Sequence, residues 1–276
     1  MKEKNLNWLR WIKNGQPLQF CPSCQYGTIL RLLACALEKT GLEPKQVMAV
    51  SGIGCAGWIT DRYLKTDTLH TTHGRPISFA TGIKLVRPDL KVIVVSGDGD
   101  LATIGTNHLV HAVRRNINLS VFCANNFLYG MTGGQAGATT PRNAITATTP
   151  QGNPEQPLDL IKLVLSLGCS MASRYPAMPI GKSPYPTIDA IVKTLKHEGF
   201  SFFEFISPCV THFGRKNEMP NHGKLKEYLK DLLIRKEDIA SSTSEPTPLA
   251  KNGKLAQGTF ETLIDYLRFT EKGGQQ

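Results

Sequence analysis

An α/β fold, a parallel sheet covered by helices on both faces, is what this 276-residue sequence predicts. Three observations lead there. Strand-length runs of uninterrupted apolar residues recur, most plainly KVIVVS at 91–96 and LSVFCA at 119–124. Stretches with helical spacing alternate with them, as the crossovers of a parallel sheet require. The unusual residues, Gly54-Cys55, Gly97-Asp98-Gly99 and Asn125-Asn126, stand directly after apolar runs. Sheets of this kind bind ligands beyond the carboxyl ends of their strands.

In chain order, residues 27–40 place Ile29, Leu30, Leu33, Ala36 and Leu37 at helical spacing, and Gly41 stops them. Residues 47–51 are short, apolar and β-prone, and break into Gly52-Ile53-Gly54-Cys55. A helix is expected over 76–86, a buried strand over 91–96, a helix over 101–115 and a second buried strand over 119–124. Residues 130–157 are rich in Gly, Thr and Pro, and so long a loop in a compact domain is usually functional. Helices at 158–167 and 187–197 flank a short strand at 170–173. A strand at 202–207 leads into Pro208-Cys209. Residues 224–236 read as helix, SSTSEPTP at 241–248 as a polar linker, and 260–272 as a docking helix. The expected organisation is a main domain over 1–220 and a helical C-terminal extension over 221–276.

Composition narrows the function. Lys plus Arg at 32 against Asp plus Glu at 22 gives a net charge of +10, which favours an anionic ligand or an acidic partner. The basic residues are scattered, with no stripe interleaved with aromatics, so no nucleic-acid partner is expected. No apolar run approaches the roughly 20 residues of a membrane helix, so no membrane insertion is expected. The first residues lack the apolar core of a signal peptide, and a cytoplasmic location follows as an expectation. In a reducing compartment the seven cysteines are thiols or metal ligands rather than disulfides.

Gly97-Asp98-Gly99 follows an apolar run and opens a helix. Glycines let the backbone approach a diphosphate, and a helix N-terminus favours negative charge. Asp98 offers oxygen to a hard cation such as Mg²⁺, which takes one or two carboxylates plus substrate phosphates. Asn126 comes one strand–helix–strand repeat later, which brings its side-chain oxygen toward Asp98. Tyr129-Gly130-Met131-Thr132-Gly133-Gly134-Gln135 follows it. Alone, GDG reads equally as a turn.

The combination resembles a known family. GDG followed after some 25 residues by NN is similar to the thiamine diphosphate motif. Together with His73-Gly74-Arg75, GDGD, HLVHAVRRN at 108–116 and YGMTGGQ, it resembles the β subunit of 2-oxoacid:ferredoxin oxidoreductases, over roughly residues 17–215. The resemblance implies a thiamine diphosphate-binding fold. It implies that Asp98, Asn126 and the Leu128 carbonyl hold Mg²⁺, with the diphosphate beside Gly99, Asp100 and Thr132. His73 would line the thiamine site as the catalytic residue, and Gly54, Gly97 and Gly130 complete the expected cofactor-binding set.

Cys21-Pro22-Ser23-Cys24 is a CxxC unit, Cys55 lies in a glycine-rich loop, and Cys209 follows Pro208 at a strand end. By spacing alone these read as a redox dithiol, half a zinc site or cluster ligands. The resemblance implies a [4Fe–4S] cluster on Cys21, Cys24, Cys55 and Cys209. Cys35, Cys123 and Cys169 have apolar neighbours and read as core thiols.

Two patterns mislead. Gly52-Ile53-Gly54-Cys55-Ala56-Gly57 fits GxGxxG, but no acidic residue stands some 20 positions on and no helix start follows, so dinucleotide binding is not expected. His108 and His111, at i and i+3 beside Leu109, Val110 and Val113, read as packing histidines rather than ligands.

The resemblance implies oxidative decarboxylation of a 2-oxoacid with coenzyme A, passing electrons to ferredoxin. It also implies an α subunit, in an αβ or (αβ)₂ assembly, that completes the substrate site. CVTHFGRKN at 209–217 resembles the 2-oxoglutarate branch. If the position of Trp58, where many relatives place a basic or small polar residue, reads the substrate's distal end, it favours a less polar or aromatic 2-oxoacid over 2-oxoglutarate. Two other classes stay open: a thiamine diphosphate decarboxylase or synthase without a cluster, and a non-enzymatic zinc-binding scaffold.

Overall fold

In the computed structural model, residues 7–180, 183–235, 255–263 and 266 are described. The strands are β1 (Val47–Ser51), β2 (Asp67–His70), β3 (Lys91–Gly97), β4 (Ser120–Asn125), β5 (Leu128–Tyr129), β6 (Gln135–Ala136), β7 (Ala172–Pro176), β8 (Ser201–Ile206), β9 (Leu233–Arg235) and β10 (Leu255–Phe260). All but the β5–β6 hairpin form one sheet of order β2-β1-β3-β4-β8-β7-β10-β9. The six strands from β2 to β7 run parallel; β10 is antiparallel to β7 and β9 parallel to β10.

Side-chain alternation divides the core. Ile93 and Val95 of β3, with Phe122 of β4 and Phe203 and Phe205 of β8, face α1 (Tyr26–Thr40) and, later in the chain, the helix Tyr185–Lys196. Val92, Val94, Val121, Cys123 and Phe202 face the opposite layer. That layer holds α2 (Pro76–Val86), α3 (Thr106–Arg114) and α4 (Leu160–Ser166); the helix Tyr185–Lys196 is α5. Strands buried on both faces cannot afford polar alternation, which is why β3 and β4 read as continuous apolar runs. Cys35, Cys123 and Cys169 are buried in these cores, as expected of packing thiols. A third cluster joins α6 (His222–Leu232) to Phe127, Leu128 and Phe213.

Three expectations need correction. The helix expected over 101–115 begins as a π-helical turn, Gly99–Ile104, and restarts as α3 after Gly105. A Cβ at Gly105 would meet the carbonyl oxygens of Asp100 at 2.6 Å and Gly74 at 2.8 Å, so the chain bends where another loop crowds it. The C-terminal extension is not helical throughout: α6 ends at Leu232, and β9 and β10 extend the sheet. Phe260, read as the start of a docking helix, ends β10. Pairing of Gly258, Thr259 and Phe260 with Arg174, Ser173 and Ala172 satisfies the backbone of the otherwise open edge of β7. The linker at 241–248 lies outside the described residues. Among the described residues, no helix is long and apolar enough to cross a membrane.

Candidate active site

The carboxyl ends of β1, β3 and β4 open into a cleft of about 480 Å³. Gly54, Gly97, Asp98, Gly99, Asn126 and Thr132 border it. So do His73, Asp100, Leu128, Gly130 and Cys55, so every residue expected to bind thiamine diphosphate or Mg²⁺ comes to one place.

Asp98 is 1% exposed. Its Oδ1 accepts the Asn126 amide at 3.1 Å and its Oδ2 accepts the Thr139 hydroxyl at 2.5 Å. Burial pushes its carboxyl up to about 6 even against those two hydrogen bonds. A buried carboxylate with hydrogen bonds but no countercharge fits a cation ligand. Asn126 Oδ1 accepts the Leu128 amide at 3.1 Å, and Asn125 Oδ1 accepts the Phe127 amide at 3.1 Å. These two turns hold Phe127 at φ 71° and set the Asn126 side chain and Leu128 backbone beside Asp98. The donor set is all oxygen, which suits Mg²⁺.

Gly99 must be glycine, because a Cβ there would meet the Tyr129 ring at 2.5 Å. Thr132 is tied to Gln135, its hydroxyl 2.6 Å from Oε1 and its carbonyl accepting Nε2 at 2.9 Å.

Asp100 borders the cleft, but its carboxylate is committed elsewhere. Oδ1 accepts the amides of Ile53 at 3.1 Å and Gly74 at 2.7 Å, and Oδ2 accepts the Ser96 hydroxyl at 2.8 Å. His73 Nδ1 lies 2.7 Å from the same Oδ1, a charge-pair contact without an aligned hydrogen bond. The carboxylate fills the space a Cβ on Gly52 would need, 2.0 Å from that point. Asp100 therefore clamps three loops together, and only its backbone is free to face a phosphate. The His73 ring stands edge-on to Tyr129, 6.1 Å between centroids.

The charges of the candidate cysteines are felt at Cys24 and Cys55. Burial raises the Cys24 thiol to about 12, and the charges of Cys209, Cys21 and Cys55 add to the rise. Cys55 is likewise raised to about 11, with Cys209 and Cys21 contributing after burial. Such thiols stay protonated at neutral pH unless a metal centre takes the proton's place. Among the described residues, no three His, Cys, Asp or Glu side chains are placed to hold a single metal ion.

Cys209 adjoins the loop that carries Asn126. The Cys209 amide donates to the Asn126 carbonyl at 3.2 Å. A Cβ on Gly130 would lie 3.2 Å from Asn126 Nδ2 and 3.6 Å from Cys209 Sγ. Burial raises the Tyr26 phenol well above its ordinary range, with further contributions from Asp98, Cys24, Cys55 and Cys209.

Several residues escaped the sequence reading. Thr139 is one of the long loop's threonines, with no local signal. Glu204 did carry a signal, since one acid inside the fully buried SFFEFI of β8 demands a partner. Trp58 does not border the cleft: it packs near Phe20, and Arg62 stacks on it at 4.9 Å. His111 is exposed and His108 half-buried on α3, and neither borders the cleft.

The family model for the thiamine pyrophosphate enzyme C-terminal TPP-binding domain matches residues 34–205. The 2-oxoglutarate synthase subunit KorB of Methanothermobacter marburgensis is 41% identical over 94% of this chain and 88% of its own length. The same subunit of Archaeoglobus fulgidus is 40% identical over 100% of this chain and 98% of its own. A structure of 2-oxoglutarate:ferredoxin oxidoreductase from Magnetococcus marinus, with 2-oxoglutarate, coenzyme A and succinyl-CoA bound, superposes with a TM-score of 0.77 at 28% identity. It covers 99% of this chain and 92% of that one. With the family model over residues 34–205 and relatives matched along nearly their whole length, this chain belongs to the thiamine diphosphate enzyme family, among the β subunits of 2-oxoacid:ferredoxin oxidoreductases.

Proposed function

We propose that the cleft binds Mg²⁺ and thiamine diphosphate through the named residues, and that Cys21, Cys24, Cys55 and Cys209 hold a [4Fe–4S] cluster beside it. The enzyme so formed decarboxylates 2-oxoglutarate oxidatively with coenzyme A and passes the electrons to ferredoxin in a reducing cytoplasm. The observation that carries this reading is Gly130, whose missing side chain lies within 4 Å of both Asn126 and Cys209. A metal–diphosphate site and a sulfur site that share one glycine suit electron transfer between two adjacent centres.

In this reading Asp98, Asn126 and the Leu128 carbonyl hold Mg²⁺, and the backbone about Gly99 and Thr132 approaches the diphosphate. Bound thiamine diphosphate supplies the electron sink that lets CO₂ leave. His73, with Nδ1 against Asp100, keeps Nε2 as the atom able to hold or pass a proton at the cleft. Among the described residues no three of the four cysteine side chains are placed to hold one ion. A tetrahedral zinc site needs sulfurs only about 3.8 Å apart. That favours a larger multi-iron centre with four cysteine ligands over zinc. The excess of basic residues suits docking of an acidic ferredoxin.

2-Oxoglutarate is favoured by the activity printed for the relatives and by the position of Trp58 outside the cleft. Among the described residues no Lys or Arg lines the cleft, so this reading assigns the cation for the distal carboxylate to the α subunit. The test is anaerobic co-expression with that subunit, followed by CoA-dependent reduction of ferredoxin with 2-oxoglutarate, pyruvate and an aromatic 2-oxoacid. A kcat/KM for 2-oxoglutarate at least about tenfold above the others supports the substrate. Equal or higher values with pyruvate reject it, and absence of iron rejects the cluster.

A further inference from the structure

A buried chain of polar groups runs from the C-terminal segment to the metal loop. Arg174 of β7 is 1% exposed. Its Nη2 donates to Asp159 Oδ1 at 2.6 Å and its Nε to Glu204 Oε2 at 2.6 Å. Glu204 Oε1 accepts Asn125 Nδ2 at 2.7 Å. At the other end the Tyr266 hydroxyl donates to Asp159 Oδ2 and lies 3.5 Å from Arg174 Nη1. Tyr266 is 3% exposed and stands edge-on to Phe260 of β10, 5.1 Å between centroids.

The cleft residues make none of these contacts except through Asn125. Asn125 matters because a carboxylate can only accept. Glu204 therefore fixes Nδ2 toward itself and Oδ1 toward the Phe127 amide. That bond supports Phe127 at φ 71°, a left-handed conformation that disfavours a residue with a side chain. Asn126 and Leu128, on either side of Phe127, are the groups assigned to Mg²⁺. Buried charges persist only when paired, so losing one partner disturbs the next. Asp159 also caps α4, accepting the amides of Ile161 at 3.1 Å and Lys162 at 3.2 Å, which gives the chain a fixed anchor.

We propose that Tyr266 is a latch on the cofactor site: docking of the C-terminal segment and binding of Mg²⁺–thiamine diphosphate are coupled through Arg174, Glu204 and Asn125, which act as positioning residues. The inference rests on the cofactor site proposed above. Linkage makes the coupling reciprocal, so cofactor also tightens the C-terminal segment.

The test uses the full chain assembled with its α subunit. Tyr266→Phe keeps the ring on Phe260 and removes only the hydroxyl. We expect Mg²⁺-dependent thiamine diphosphate binding to weaken about 5- to 30-fold, within the range of ordinary coupling, with kcat restored at saturating cofactor. Asn118→Ala, which removes an exposed 2.7 Å bond to Glu198 away from both the polar chain and β10, leaves affinity unchanged. Cofactor should also slow amide exchange across Leu255–Phe260 in the wild type. Tyr266→Phe binding cofactor within twofold of wild type, whatever its melting temperature, overturns the latch alone. A wild-type assembly that binds no thiamine diphosphate overturns the latch and the site together.

Discussion

Asp100 Oδ1 lies 2.7 Å from His73 Nδ1 while accepting the amides of Ile53 and Gly74, so one carboxylate joins the loops after β1, β2 and β3. Asp100→Ala leaves the amides of Ile53 and Gly74 and the Ser96 hydroxyl without their acceptor. We expect a loss of about 2–5 kcal/mol in urea unfolding, because each buried donor left unpaired costs of order 1–3 kcal/mol. Asp100→Asn keeps the volume but turns an NH₂ group toward donors, and kcat/KM should fall at least about tenfold. An Asp100→Asn enzyme with wild-type kcat/KM would show that His73 needs no such placement.

Cys209 tests whether the two sites are separable. Its sulfur accepts only the His212 amide, at 3.4 Å, while its backbone amide reaches Asn126. Cys209→Ser should strip or degrade the iron centre and leave thiamine diphosphate affinity within about threefold, since the backbone contact survives. Iron and sulfide analysis beside a binding titration reads both. Full iron content in the variant would remove Cys209 from the ligand set.

Gln25 follows the CxxC unit at the N-cap of α1, is 4% exposed, and neither of its side-chain polar atoms finds a hydrogen-bond partner among the described residues. Leaving a buried amide unpaired costs about 1–3 kcal/mol. Gln25→Leu should therefore stabilise the metal-free chain by about 1 kcal/mol or more in chemical denaturation. A destabilised variant would mean that the amide has a partner such as ordered water.

Lys91 starts β3, and burial lowers its ammonium from 10.5 to about 8. The unfolded chain then binds more protons than the folded one between about pH 8 and 10.5. Stability therefore rises with pH through that window, and the full penalty is present below it. Lys91→Met should stabilise the chain at pH 7 by at most about 3 kcal/mol, with the gap from wild type shrinking by pH 10. A gap independent of pH would assign the effect to packing alone.

The sequence was most readable where burial is complete. β3 and β4 stand out because both faces are covered, and the ligand-bearing loops follow them by simple topology. β2 escaped notice because DTLH is an edge strand, exposed or half-exposed throughout. β10 escaped because LAQGTF lacks apolar alternation and is held by one antiparallel neighbour over three residues. The cofactor residues were legible as types at fixed intervals. What Asp100 does was not, because its partners Ile53 and Gly74 come from loops far away in sequence.

The same carboxylate bears on how such sequences are screened. GIGCAG at 52–57 has the spacing of a dinucleotide fingerprint, yet its first glycine is imposed by the Asp100 side chain and Gly57 by the Gly52 carbonyl, 2.7 Å from where a Cβ would stand. A pattern search would count this chain among nucleotide binders. Pairing each glycine of such a match with the atom that excludes its side chain would separate the two cases: in a fingerprint the excluding neighbours are the pyrophosphate and a packed helix, here they are the protein's own acid and backbone.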